Sequence, residues 1–176
     1  MRIRNLDYLK GKGRLKDYPE LSEVVTKLKK SDFNKFHETN DGLLITVYSF
    51  SYKNGYPEDY TGNGGGFMFD CRGLHNPGRY DEFKPLTGLD MPVKKFLEDK
   101  GEAKHFIENC FKVVEPSILR YIQRGFTSLQ IGFGCTGGRH RSVYCAEKIA
   151  EMIFQRHYKD VNIKIIHREQ NITTNL

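Results

Sequence analysis

The stretch Gln130-Ile-Gly-Phe-Gly-Cys-Thr-Gly-Gly-Arg-His-Arg-Ser-Val-Tyr144 decides how this chain is read. Its first part completes a predicted strand over 127–134 (TSLQIGFG). Its end opens a predicted helix over 142–158, with Val143, Ala146, Ile149, Ala150 and Ile153 on one face. The join falls at the carboxyl end of a buried strand, where open α/β sheets place their ligand crevices. Gly134, Gly137 and Gly138 permit a tight turn whose successive N–H groups face one concavity. The next helix adds free N–H groups and the positive end of its dipole. Arg139 and Arg141 bring forks suited to phosphate, while Thr136 and Ser142 bring hydroxyls. Residues 135–142 therefore read as a cradle for a phosphate-like anion. The pattern is neither GxxxxGK[ST] nor GxGxxG, which argues against a nucleoside triphosphate site.

Working outward, 43–50 (LLITVYSF) is a nearly continuous apolar, β-branched run expected of a strand buried on both faces. A Gly- and Tyr-rich loop over 51–66 and a short strand over 67–71 follow. The segment 72–89 reads as loop, with a turn at Asn76-Pro77-Gly78. Asp90 is placed to cap a helix over about 92–99. A longer helix over about 102–124 should kink or break at Pro116 and end at Gly125. Val161–His167 (VNIKIIH) is the last predicted strand, parallel to 127–134 through the intervening helix. The fold class is α/β: a single domain with a mostly parallel sheet covered by helices, carrying a phosphate-binding strand–loop–helix. Before it, Lys10–Lys16 forms a basic arm. Pro19 opens an amphipathic helix on Leu21, Val24, Val25 and Leu28.

The chain has 176 residues, enough for one core of ordinary size. No apolar run approaches the roughly 20 residues of a membrane span, and no signal-peptide core opens the sequence. A cytoplasmic location is the expectation. Cys71, Cys110, Cys135 and Cys145 are scattered without a CxxC, so neither a disulfide frame nor a zinc site is expected, and no cofactor is implied. A net charge of +6 suits anionic partners, nucleic acid or phosphorylated small molecules, and equally suits plain solubility.

Two resemblances meet at the turn. Cys135, five residues, then Arg141-Ser142 resembles the phosphate loop of cysteine-dependent phosphatases, which implies Cys135 as nucleophile and Arg141 as phosphoryl ligand. Neighbouring amides, arginines and a helix start suit a thiolate there. Gly134 stands where those enzymes usually carry histidine. The general acid is left open among Asp70, Asp81 and Asp90.

The longer resemblance is to the RapZ family of RNase adapter proteins. CTGGRHRSVYCAEKIA (135–150) is similar to its CTGGxHRSVYxAExLA segment. So are 47–55 (VYSFSYKNG), Phe69-Asp-Cys-Arg72 with Asn76-Pro77, the run Pro85-Leu-Thr-Gly-Leu-Asp90 with Pro92-Val93, and His167-Arg168. The match spans roughly 43–169 and implies the family's C-terminal α/β domain over 43–176. Residues 1–42 fall outside it and do not resemble the family's P-loop kinase-like domain. The resemblance implies a regulatory module that binds an amino-sugar phosphate, glucosamine 6-phosphate, and small RNA; a homo-oligomer is compatible with it. Its sugar-phosphate pocket would draw on Asp70, Arg72, Asn76, Cys135, Thr136, Gly137, Gly138, His140, Arg141 and Ser142, and the turn adds Arg139. Plainer roles compete: an ion pair for Asp70 and Arg72, a turn for Asn76, a helix cap for Asp90. Lys148, Arg156, Lys159, Lys164, His167 and Arg168 are the candidate RNA contacts at the C-terminal end, with Lys10, Lys12, Arg14 and Lys16 at the other. Tyr52, Tyr56 and Tyr60 would either stack on a base or sugar or pin their loop to the core.

Overall fold

The computed structural model describes residues 42–62 and 65–176. The basic arm and the helix expected from Pro19 lie outside the described residues. Among the described residues, 42–59 and 65–176 form one compact unit, an α/β fold. Its strands are β1 (Leu43–Ser51), β2 (Phe67–Asp70), β3 (Ser128–Cys135), β4 (Val161–His167) and β5 (Ile172–Asn175). Its helices are α1 (Met91–Asp99), α2 (Glu102–Gln123) and α3 (Arg141–Phe154).

The sheet order is β2-β3-β1-β4-β5. β1 lies at the centre, parallel to β3 and β4, and β2 is parallel to β3. Leu43, Ile45 and Val47 of β1 point to the helices and are essentially inaccessible, as are Ile131, Phe133 and Ile165. Burying a side chain of this kind contributes about 1.5–3 kcal/mol; on the opposite face Leu44 is exposed and Tyr48 half-buried, so β1 is not buried on both faces as its continuous apolar run predicts. Phe106 of α2 meets Phe69 and Phe133 edge-on. Ile149 and Ile153 of α3 close the same core.

Three departures from the sequence reading have local causes. β5 was not expected: its four residues are exposed, so no burial pattern marks them, and antiparallel pairing to β4 forms the strand. α2 runs unbroken through Pro116, because Val114 and Ile118 on either side are fully buried and packing outweighs one lost hydrogen bond. α3 stops at Phe154 rather than 158; Arg156 N–H and His157 N–H turn back to Ile153 O and Phe154 O, and His157 takes φ 51°. α2 ends as expected, with Gly125 at φ 63° and N–H bonds from Gly125 to Ile122 O and Phe126 to Tyr121 O. Asp90 has the backbone of a cap, yet its carboxylate accepts from Thr87 N and Oγ1 instead of the helix.

Parallel pairing brings the carboxyl ends of four strands to one edge. The register sets Ser51 beside Cys135, Asp70 beside Gly134 and Ser49 beside His167.

Candidate functional site

At that edge Cys135 ends β3 and Arg141 begins α3, leaving five residues to reverse the chain. Four of those five have their carbonyls fastened to the scaffold. Ser51 Oγ donates to Thr136 O at 2.7 Å, and Gln170 Nε2 donates to Gly138 O at 3.1 Å. Gly88 N and Tyr144 N donate to Arg139 O and His140 O, both at 2.9 Å. In a trans peptide the N–H lies opposite the C=O. The N–H groups of Gly137, Arg139, His140 and Arg141 thus each point opposite to the group that fastens the preceding carbonyl. Gly138 makes the reversal possible: it sits at φ 63°, and a Cβ there would strike Glu169 Cγ and lie 2.8 Å from Ser51 N.

Arg141 is 5% exposed although it carries a permanent charge. Its Nη1 donates to Arg72 O at 2.9 Å and Leu74 O at 3.1 Å, while Nε is buried without a hydrogen-bond partner among the described residues. Ser142 is fully buried, and its Oγ stands 3.1 Å from the Sγ of Cys135, itself 3% exposed. Thr136 and Gly137 are the exposed lip of the turn.

Arg139 and His140 face elsewhere. The Arg139 fork donates to Leu86 O (2.9 Å) and Pro85 O (2.6 Å), which clamps the loop before α1 against the turn. His140 Nε2 bonds Phe83 O at 2.8 Å. Burial pushes the His140 pKa down, so the ring is neutral at pH 7 and donates to that carbonyl.

Asp70 and Arg72 form a bidentate pair on the rim (2.6–3.0 Å), and Asp70 also accepts from Arg72 N. The Arg72 fork holds the Asp70 carboxyl below the usual carboxylate range. The guanidinium lies 4.3 Å from the Tyr52 ring centre. Asn76 Oδ1 accepts from Gly78 N and caps the turn at Pro77. Each of these contacts matches its plainer sequence role, and the register keeps Asp70 beside Gly134.

Four of the six cations considered for RNA at the C-terminal end have partners within the fold. His167 is 1% exposed, bonded to Ser49 Oγ and Glu147 Oε1 at 2.9 Å each, and is a core residue rather than a surface contact. Arg168 is spent on Glu169, Ser51 O and Gly55 O. Lys148 pairs with Glu98 and Glu151, and Arg156 pairs with Glu115 and lies over Phe111. Lys164 lies in β4, and Lys159 is exposed in the turn before it.

Four positioning residues escaped the sequence reading: Ser51, Gly88, Glu169 and Gln170. Glu169 accepts from Ser51 N and Asn54 Nδ2 while its Cγ backs Gly138. Of the 167–170 segment, the sequence reading marks only His167-Arg168, as part of the family resemblance and as candidate RNA contacts. All four cysteines are buried; burial pushes the Cys110 thiol up to about 12 and Cys71 well above its ordinary value. Among the described residues no cluster of histidine, cysteine or acidic side chains could hold a metal, and no helix is long and apolar enough to cross a membrane.

Comparison of the sequence with known proteins identifies relatives. Residues 43–171 match the family described as the RapZ C-terminal domain. A nucleotide-binding protein of Paramagnetospirillum magneticum is 39% identical over 132 residues, covering 75% of this chain and 40% of the relative. One from Pseudoalteromonas translucida is 41% identical over 128 residues, covering 73% and 43%. One from Desulforudis audaxviator is 34% identical over 147 residues, covering 82% and 47%. The chain thus spans less than half the length of these relatives.

Proposed function

Since this chain belongs to the RapZ C-terminal domain family, we propose that it is a binding module that captures the phosphate of a small molecule at the β3–α3 turn. One observation carries the reading: four turn carbonyls are fastened to the scaffold, which presents the opposite amides beside a helix start. Arg141 supports it. A buried guanidinium that gives Nη1 to two carbonyls and leaves Nε unpaired among the described residues keeps hydrogen-bonding capacity that an anion would take up. The resemblance implies an amino-sugar phosphate, glucosamine 6-phosphate, as ligand, with Asp70 and Arg72 at the rim.

Calorimetry tests this with glucosamine 6-phosphate and inorganic phosphate. Both bind the native protein, and Arg141→Lys, which keeps the charge and loses the fork, weakens both by about tenfold or more. Unaltered affinity in Arg141→Lys and in a folded Arg141→Ala removes the turn as the site.

The phosphatase alternative shares the same pocket. Burial of Cys135 and the spending of Arg141 Nη1 on carbonyls favour binding over turnover. Hydrolysis of an aryl phosphate that disappears in Cys135→Ser would reverse that preference. RNA contact, the other activity implied by the family, rests on net charge and on exposed cations such as Lys159. Filter binding that shows no salt-dependent affinity would end it.

A further inference from the structure

The end of β1 carries a group of aromatic rings that the phosphate reading leaves unused. Phe50 is fully buried, and its ring meets Tyr52 at 5.1 Å and Tyr56 at 5.7 Å between centres. Tyr52 and Tyr56 meet edge-on at 5.7 Å. The group is seated on the main chain of β3 immediately before the turn. A Cβ on Gly134 would lie 2.5 Å from the Tyr52 ring and 2.7 Å from the Phe50 ring, so glycine there lets the rings rest on the strand.

The rings are also fastened from outside. Arg72 covers Tyr52, Arg168 lies 5.7 Å from the Phe50 centre, and Arg168 Nη2 holds Gly55 O, next to Tyr56. Tyr56 is the member left open: it is 63% exposed, with Phe50 and Tyr52 fixing its orientation. An exposed aromatic ring held by its neighbours loses little freedom when another ring lies on it. The same segment is tied to the turn, since Ser51 holds Thr136 O and Asn54 holds the Glu169 that backs Gly138.

We infer that Tyr56 is the ring-binding wall of the phosphate site, so that the ligand is a phosphate monoester whose ring, sugar or base, rests on it. This rests on the turn as phosphate site and adds what the turn alone lacks, a means of telling one phosphate ester from another. Amides and Arg141 contact phosphate oxygens common to all of them, whereas stacking rewards only those with a ring face.

The test compares inorganic phosphate, ethyl phosphate, glucosamine 6-phosphate and adenosine 5′-monophosphate on the native protein, Tyr56→Ala and Tyr56→Phe by calorimetry. In the native protein at least one ring-bearing ester binds about tenfold tighter than ethyl phosphate, the order expected of one stacking contact. Tyr56→Ala removes that advantage while leaving inorganic phosphate within about twofold, and Tyr56→Phe keeps it, because the ring rather than the hydroxyl does the work. Which ester loses more in Tyr56→Ala identifies the ring as sugar or base. An advantage that survives Tyr56→Ala overturns the inference, as does an equal loss for all four ligands, which would mark a structural role. Phosphate binding without any ring preference defeats this inference alone; no binding of any of the four defeats the phosphate site and this inference with it.

Discussion

Gly88→Ala is the most exacting test of how the turn is built. A Cβ at residue 88 would strike His140 O, lie 2.5 Å from Tyr144 N and lie 2.8 Å from Val143 Cβ. The first two atoms are the partners of the hydrogen bond that begins α3, Tyr144 N–H to His140 O at 2.9 Å. Neither can move without unwinding the helix start, so the loop carrying residue 88 must withdraw. Overpacking of this kind costs about 1–3 kcal/mol. Withdrawal also breaks Gly88 N–H to Arg139 O and strains the Arg139 bonds to Pro85 O and Leu86 O. Each such bond contributes about 0.5–1.5 kcal/mol. A loss of roughly 3 kcal/mol follows, which lowers the melting temperature by about 10 °C for a chain of this size. Thermal unfolding followed by far-ultraviolet circular dichroism reads it directly. Gly137→Ala is the control, since a Cβ there meets nothing within 4 Å; its melting point should stay within about 2 °C. If Gly88→Ala melts alongside the native protein, the loop is not pressed against α3 and the bracing of the turn has been misread.

Other outcomes follow from the same contacts. Arg139→Gln should cost about 1–2 kcal/mol in urea unfolding, because a partly exposed fork to two carbonyls is lost. Its phosphate affinity should fall by less than about threefold, set against the larger loss in Arg141→Lys. Because the folded pKa of His140 lies below its unfolded value of about 6.5, its contribution is complete above that pH and is lost as pH falls through the folded pKa. Stability of the native protein should therefore decline below about pH 6.5, and His140→Gln should flatten that decline; identical profiles would remove the histidine as its source. With all four cysteines buried, a thiol reagent such as Ellman's should find none accessible in the native protein and four after unfolding in urea. Rapid native labelling would contradict the burial of Cys135.

What could be read in advance divides along physical lines. β1 and β4 were legible because burial leaves an apolar, β-branched signature, and the end of α2 because Gly125 takes the left-handed conformation that stops a helix. The turn was legible because three glycines, two arginines and a helix start lie within a few residues of each other. β5 was not, since pairing rather than burial makes it a strand. The carbonyl partners of Arg139 and His140 were not legible for a related reason: Pro85, Leu86 and Phe83 are more than fifty positions away. The same residue types that suit phosphate also suit main-chain carbonyls, and only the fold decides between them.

The fastening of the turn has a consequence for assembly. Ser51 reaches Thr136 across 85 positions, and Glu169 reaches Ser51 across 118. A peptide copying residues 130–144 would hold none of these ties, so it should have no measurable affinity for phosphate. In the chain itself the cradle cannot exist until its distant ends have met, so it depends on long-range contacts. A ligand bound there would hold together segments remote in sequence, as a clasp does, and would protect the carboxyl end of β1 and the 168–170 segment from hydrogen exchange as one cooperative unit.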